Sequence, residues 1–258
     1  MNEVIKKIEK AYYRVLGYYP ANINGLKFRL DPYHTKFWKK VDKGEWEPDT
    51  YKIMSRFLNT ESVYCDIGAW IGPTVVYASK ICKKVICFEP DPFAYRYLHW
   101  NIELNDLQNI TALNFALSNQ VSMQRMSSFS GRLGDSMSSL LDDNHESPGV
   151  DVPALTWDAF IDLSETKKID FIKIDIEGGE FELLPTLKNY LSEHKPIVYL
   201  STHAPYLDAG LRKEKMQQVI DVMGMYDKCL DHNLEPIDIG ELLGEEATTR
   251  FCSYVFMD

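Results

Sequence analysis

The stretch Val63-Tyr-Cys-Asp66-Ile-Gly68-Ala-Trp-Ile-Gly72 decides the fold. An apolar run ends in an acid, two glycines follow four residues apart, and an apolar helix-like segment begins at Pro73. The pattern predicts a strand, a tight turn and a helix N-terminus, with glycines where the backbone is approached closely. The next apolar run, Val85-Ile-Cys-Phe88, ends in Glu89. An acid at the end of the second strand of such a unit, about 20 residues on, is placed to hold ribose hydroxyls.

Working outward, the apolar runs predict strands over 62–66, 84–88, 111–115, 170–175 and 196–201. Helical spacing falls near 73–80, 92–105, 154–163 and 178–191. Strands alternating with helices imply right-handed βαβ units and a mostly parallel sheet. A helix near 211–224 and strand-like segments at 227–230 and 251–257 fit a hairpin added to the sheet edge. Upstream, Val4, Ile5, Ile8, Tyr12, Val15 and Leu16 recur at helical spacing over 2–18. A short strand at Gly25–Leu30 and a helix over 48–58 precede the glycine motif. Residues 1–60 are expected to be an extension packed on the core, its first helix available for self-association. Residues 61–258 form the main domain. Within it, 121–152 is rich in Ser, Gly, Asp and Asn and lacks periodicity, so a long loop is expected there.

The 258 residues are 45% hydrophobic and 26% charged, which is ordinary for a globular chain, with a formal net charge of -10. That sign argues against a nucleic-acid partner held by a basic face. Cys65, Cys82, Cys87, Cys229 and Cys252 show no metal-ligand spacing and read as small hydrophobes in a reducing compartment. No apolar run approaches the ~20 residues that span a bilayer. Glu3, Lys6, Lys7, Glu9 and Lys10 interrupt any signal-peptide pattern, and a cytoplasmic location is expected.

The chemistry of the glycine motif is specific. Asp66-x-Gly68-x-x-x-Gly72 has one glycine fewer than the dinucleotide pattern and an acid before the first. A carboxylate there repels a pyrophosphate but attracts an α-amino group. S-adenosylmethionine, with an ammonium, a sulfonium, a ribose and no phosphate, suits this set. A nicotinamide-dependent oxidoreductase is the competing reading, and a scaffold that kept the fold without catalysis is a third.

Asp66-Ile-Gly-Ala-Trp-Ile-Gly72, Phe88-Glu-Pro-Asp-Pro92, Asn101-Ile-Glu-Leu-Asn105, Ala116-Leu-Ser118 and Lys173-Ile-Asp-Ile-Glu-Gly-Gly-Glu180 together resemble the FkbM family of S-adenosylmethionine-dependent methyltransferases. The resemblance spans roughly residues 45–205. It implies a class I, Rossmann-like α/β fold: a mostly parallel seven-stranded sheet, helices on both faces and an antiparallel C-terminal edge strand. It also implies methyl transfer to a hydroxyl of a sugar, glycan or natural product such as a polyketide, leaving S-adenosylhomocysteine. By the same resemblance Asp66, Gly68, Ala69 and Gly72 line the methionine side, Glu89 and Pro90 meet the ribose, and Ala116 and Leu117 sit beside the adenine.

Lys173, Asp175 and Glu177 share one side of a strand read at period two, so Asp175 faces the crevice at the strand's carboxyl end. Lys173 in an apolar strand needs a partner, and Asp175 is the simplest one. Glu177 and Glu180 also suit the N-terminus of the following helix. His203, after the fifth strand, is the candidate general base for a hydroxyl acceptor, with Asp175 orienting it or the donor. The FkbM pattern often has a glutamate before this histidine; here Ser201-Thr202 stand there. Asp175, Glu177 and His203 form an alternative ligand set for a divalent metal, better suited to a transition metal than to Mg²⁺, although a metal-free site is favoured. Gly134-Asp-Ser-Met-Ser-Ser-Leu140 is expected to border the acceptor. Trp46, Glu47 and Tyr51 are expected to close the pocket from the other side. His34, His99, His145, His194 and His232 show no functional pattern.

Overall fold

The computed structural model describes residues 3–129, 131–140 and 149–258. His145 and the centre of the expected loop, 141–148, lie outside these residues, as does the side chain of Val4. The N-terminal elements are α1 (Glu3–Leu16), β1 (Tyr19–Ile23), β2 (Leu26–Leu30), α2 (Thr35–Asp42) and α3 (Pro48–Phe57). There follow β3 (Val63–Ile67), α4 (Pro73–Ser79), β4 (Lys84–Phe88), α5 (Pro92–Leu104) and β5 (Ile110–Leu113). Next come β6 (Ala116–Leu117), β7 (Ser122–Ser128), β8 (Ser138–Ser139), β9 (Gly149–Leu155) and α6 (Trp157–Leu163). The chain continues through β10 (Phe171–Ile174), α7 (Glu180–His194), β11 (Ile197–Thr202), α8 (Arg212–Met223), β12 (Lys228–Leu230), α9 (Glu245–Thr249) and β13 (Cys252–Met257).

Seven strands form the main sheet in the order β12-β13-β11-β10-β3-β4-β5. β3, β4, β5, β10 and β11 are mutually parallel, and β13 is antiparallel to both its neighbours. The C-terminal strand is therefore antiparallel as expected, but it is inserted between β11 and β12, and β12 is the edge. Chain order reverses between β3 and β10, and that switch point is where open α/β sheets place their ligands.

Strand parity assigns each side chain to a face. Cys65, Ile67, Ile86, Phe88, Ile172, Ile174, Val198 and Leu200 join one apolar cluster, with α6, α7 and α8. Tyr64, Val85, Cys87, Phe171 and Tyr199 join the other. Ile23, Phe28, Leu30, Trp38 and Ile53 of the N-terminal elements belong to this second cluster, so the extension covers one face of the sheet. Burial of each such side chain contributes roughly 1.5–3 kcal/mol. The outer stripe of α1 stays in solvent, with Ile8, Tyr12 and Val15 exposed.

Residues 121–152 depart from the expected loop. β7 pairs antiparallel with β8 and β9, and β9 pairs parallel with β6, making a second sheet in the order β6-β9-β7-β8. Val150, Val152 and Ala154 alternate along β9 and pack with Ala116 and Met126. The helix expected from 154 starts at Trp157, because Thr156 accepts the N–H of Ala159 as its cap and the preceding residues are committed to β9. Among the described residues no helix is long and apolar enough to cross a membrane.

Candidate active site

The glycines are required by the sheet as much as by a ligand. Gly68 has φ of +93°, and a Cβ on it would lie 1.9 Å from the carbonyl oxygen of Asp175. Gly72 has φ of +88°, and a Cβ there would meet Leu98 at 2.5 Å. Between them Trp70 takes a left-handed φ of +48°. Its backbone N–H donates to Glu89 Oε2 at 2.7 Å, and its indole donates to the Gly134 carbonyl at 3.1 Å.

Parity and register place a charged triad inside the sheet. Lys173 stands opposite Asp66 on β3 and Tyr199 on β11. Its ammonium lies 3.0 Å from Asp175 Oδ2 and 3.6 Å from Asp66 Oδ1. Burial opposes the charge of Lys173, but Asp175, Asp66 and Glu47 together hold its pKa well above the usual value. Asp66 is fully buried; its Oδ2 accepts from Tyr64 at 2.9 Å and from Thr74 at 2.5 Å, and its Oδ1 has no hydrogen bond. Asp66 thus points into the face covered by the N-terminal elements, and its partner Lys173, not Asp66 itself, lines the chamber. Gly72 likewise sits beneath it.

The crevice has two connected spaces. A narrow cleft at the ends of β3 and β4 is lined by Gly68, Glu89, Pro90, Ala116, Leu117 and Asp175, all expected there, and by Met126, Ser136, Ser138, Ser139 and Leu140. A chamber of about 450 Å³ adjoins it, lined by Ala69, Trp46, Glu47, Lys173, His203 and Tyr206 among others. Gly68, Trp70, Ser136, Asp175 and Glu177 border both. The loop after β7 folds over the cleft because Asp91, already capping α5, also accepts from the Gly134 N–H and from Ser138 Oγ at 2.9 Å. Ser139 Oγ donates to the Glu177 carbonyl at 2.7 Å.

Glu89 is 6% exposed, and its carboxylate accepts the N–H groups of Trp70 and Asp91. Burial outweighs those bonds and pushes it up to about 8. The acids Glu89, Asp135, Asp175 and Glu177 line the cleft, and among the described residues no lysine or arginine does. That donor set repels a pyrophosphate and fits a nucleoside carrying a sulfonium and an ammonium, with the apolar Ala116, Leu117 and Met126 available to a base.

His203 is held from three sides. Its backbone N–H donates to Glu180 Oε1 at 2.6 Å, and its Nδ1 lies 3.2 Å from the same oxygen. Its Nε2 lies 3.5 Å from Asp175 Oδ1 and 3.6 Å from Glu177 Oε2. Burial disfavours the imidazolium, but the bond to Glu180 and the charges of Glu180, Asp175 and Glu177 raise His203 to about 9. Burial would raise Asp175, yet Lys173 and then His203 hold it below the usual carboxylate range. Burial, set against His203, pushes Glu177 up to about 7. Ligand atoms of Asp175, Glu177 and His203 lie within 4.8 Å of one another, which is the spacing of the metal set read from sequence.

Glu180 supplies the orienting carboxylate that the Ser201-Thr202 departure left unassigned. It sits at the first position of α7, fully buried, and its Oε2 accepts the Gly178 N–H. The helix-dipole reading of Glu180 concealed this second role. Thr50, Tyr199 and Ser253 of the chamber were also not singled out from sequence. A polar-competent tyrosine in the otherwise aliphatic run Ile197–Leu200 was the available signal for one of them.

An open sheet of this order, with glycines and acids gathered at the ends of its first strands, defines the class I methyltransferase type of α/β protein. The model of the Methyltransferase FkbM domain matches residues 66–231, and the chain belongs to that family. It is similar over short stretches to curated proteins. A tRNA (guanine(37)-N(1))-methyltransferase 1 of Vitis vinifera is 28% identical over 85 residues, 33% of this chain and 13% of that protein. The uncharacterized protein MJ1452 of Methanocaldococcus jannaschii is 37% identical over 57 residues, 22% of each. The chain thus spans less than a quarter of the length of either relative. A solved methyltransferase FkbM of Methylobacillus flagellatus KT is 17% identical with a TM-score of 0.46, covering 77% of this chain and 44% of that one.

Proposed function

We propose that this chain is an S-adenosylmethionine-dependent O-methyltransferase whose acceptor is a hydroxyl of a sugar or glycan. One observation carries the reading: the acid-lined cleft opens, at Gly68, Trp70, Asp175 and Glu177, into a chamber walled by aromatic rings and hydroxyls. Trp46, Trp70, Tyr206 and Phe251 offer faces on which a pyranose stacks, and Glu47, Asp175, Glu177 and Ser201 accept or donate to hydroxyls. A polyketide hydroxyl would meet fewer apolar walls than it needs. The tRNA named for one relative would meet Glu47, Asp175 and Glu177, with Lys173 already paired to Asp175.

In this reading Glu89 holds the ribose hydroxyls, Pro90, Ala116 and Leu117 flank the adenine, and Gly68, Ala69 and Asp175 shape the methionine side. Asp66 and Gly72 support that surface from beneath. S-adenosylmethionine, when bound, supplies the electrophilic methyl group. The chain's own contribution is proximity and orientation, worth up to ~7–11 kcal/mol of the barrier. His203 changes role from its sequence assignment: with carboxylates facing both ring nitrogens it is held as an imidazolium at neutral pH. It then donates from Nε2 toward the acceptor and balances Asp175 and Glu177.

The test is release of S-adenosylhomocysteine with methyl glycosides, short oligosaccharides, nucleosides and unmodified tRNA as acceptors. Turnover confined to the saccharides supports the reading, and turnover on tRNA alone overturns the acceptor class. Thermal stabilisation by NADH and not by S-adenosylmethionine would overturn the cofactor.

A further inference from the structure

The chamber that holds His203 also carries a carboxylate whose position is built by the N-terminal extension. Glu47 caps α3 in a left-handed conformation, φ 40° and ψ 54°, which a residue with a side chain adopts only under strain. Pro48 fixes the first position of α3, and Thr50 in its first turn donates to Glu47 Oε2 at 3.0 Å. The Thr50 hydroxyl oxygen also lies 3.0 Å from the Tyr199 hydroxyl, and Tyr199 is bonded in turn to Ser253. Since Thr50 donates to the carboxylate, Tyr199 donates to Thr50, and the hydroxyls point in sequence toward Glu47. Strained backbone and a directed hydroxyl chain converge on one carboxylate that lines the chamber and feels Lys173 through its charge. Glu177, the other unassigned acid of the chamber, is already engaged by Tyr206 and by His203.

We infer that Glu47 is the catalytic base, accepting the proton of the acceptor hydroxyl as the methyl group is transferred. The acceptor oxygen forms its bond to the methyl carbon, the sulfur–methyl bond breaks with its electron pair returning to sulfur, and the proton passes to Glu47. The sulfonium becomes a neutral thioether and the carboxylate a carboxylic acid, so charge and atoms balance. The groups facing Glu47 are Asp175, Lys173 and Asp66 from β3 and β10, Thr50 and Tyr51 from α3, and Tyr199 from β11. The Glu47 side chain is exposed, opening to solvent at the chamber; crowding by the surrounding protein and the charge of Asp175, opposed by Lys173, push it up to about 7, near the pH at which a base works best.

The inference rests on the O-methyltransferase reading. The test uses the full chain, S-adenosylmethionine and the saccharide that the wild type methylates fastest. Glu47→Gln should lower kcat ~10²–10⁴-fold while leaving the calorimetric Kd for S-adenosylmethionine within about twofold. The wild type should show an acid limb in kcat/KM near pH 7, retained by Glu47→Asp at reduced rate and removed in Glu47→Gln. Wild-type kcat in Glu47→Gln, or an acid limb removed by Glu177→Gln and not by Glu47→Gln, overturns the inference and leaves the function standing. Release of no S-adenosylhomocysteine by the wild type with any saccharide overturns both.

Discussion

The α-carbon of Gly68 faces the carbonyl oxygen of Asp175 so closely that a Cβ would stand 1.9 Å from it. The turn after β3 and the loop after β10 are therefore interlocked at the switch point, and neither moves alone. Gly68→Ala should destabilise the fold by at least ~2 kcal/mol, combining positive φ with a backbone clash. Urea unfolding measures this, and a loss under 0.5 kcal/mol would show that the two segments yield easily.

Lys173 neutralises the buried Asp66 and the partly exposed Asp175. Lys173→Met should cost ~3–5 kcal/mol, because Asp66 and Asp175 are left without their cation. Adding Asp66→Asn should recover part of that loss. An additive double mutant would mean that Asp66 and Lys173 are not coupled.

Stability and ligand binding should depend on pH in opposite ways. In the folded chain Glu47 and Glu177 titrate near 7, Glu89 near 8 and His203 near 9, all above their ordinary values. The folded state therefore binds more protons than the unfolded state between about pH 4.5 and 9. Each contribution is fully present below the ordinary value of its group and is lost as pH rises through the folded one. The Tm should fall from pH 6 to pH 9. A cationic nucleoside favours the ionised acids, so S-adenosylmethionine binding should release protons at pH 7, as read by calorimetry in buffers of different ionisation enthalpy. Proton uptake would contradict the assignment of an acid-lined cofactor cleft.

Charge balance around His203 bears on metal dependence. An imidazolium between Asp175 and Glu177 occupies the electrostatic role a divalent ion would have. Transfer should persist after dialysis against EDTA, while His203→Ala should lower kcat ~10–100-fold with the cofactor Kd nearly unchanged. Loss of activity in EDTA with recovery on adding Mn²⁺ would assign the three side chains to a metal instead.

The βαβ frame was legible because its strands are covered on both faces and read as unbroken apolar runs between helical periods. Gly68 and Glu89 were legible because strand ends in this fold are fixed points. The second sheet was not: Ser122–Ser128 is mostly polar, and Val150, Val152 and Ala154 are separated by Asp151 and Pro153, which mask a short alternation. The sequence shows that Asp66 ends a strand, but not that it is fully buried, which goes with its pairing to Lys173, more than a hundred residues away. The Glu180–His203 contact was hidden for the same reason.

The insertion of β13 between β11 and β12 gives the sheet an order of completion. β11 and β12 are made earlier in the chain, yet neither can satisfy its inner edge until Cys252–Met257 arrives to pair with both. During synthesis this half of the molecule waits with two unpaired edges beside the finished β3, β4 and β10, and such edges recruit other strands. β13 works as a wedge driven between two strands made before it, so the chamber wall carrying Ser253 closes only once β11 and β12 have formed.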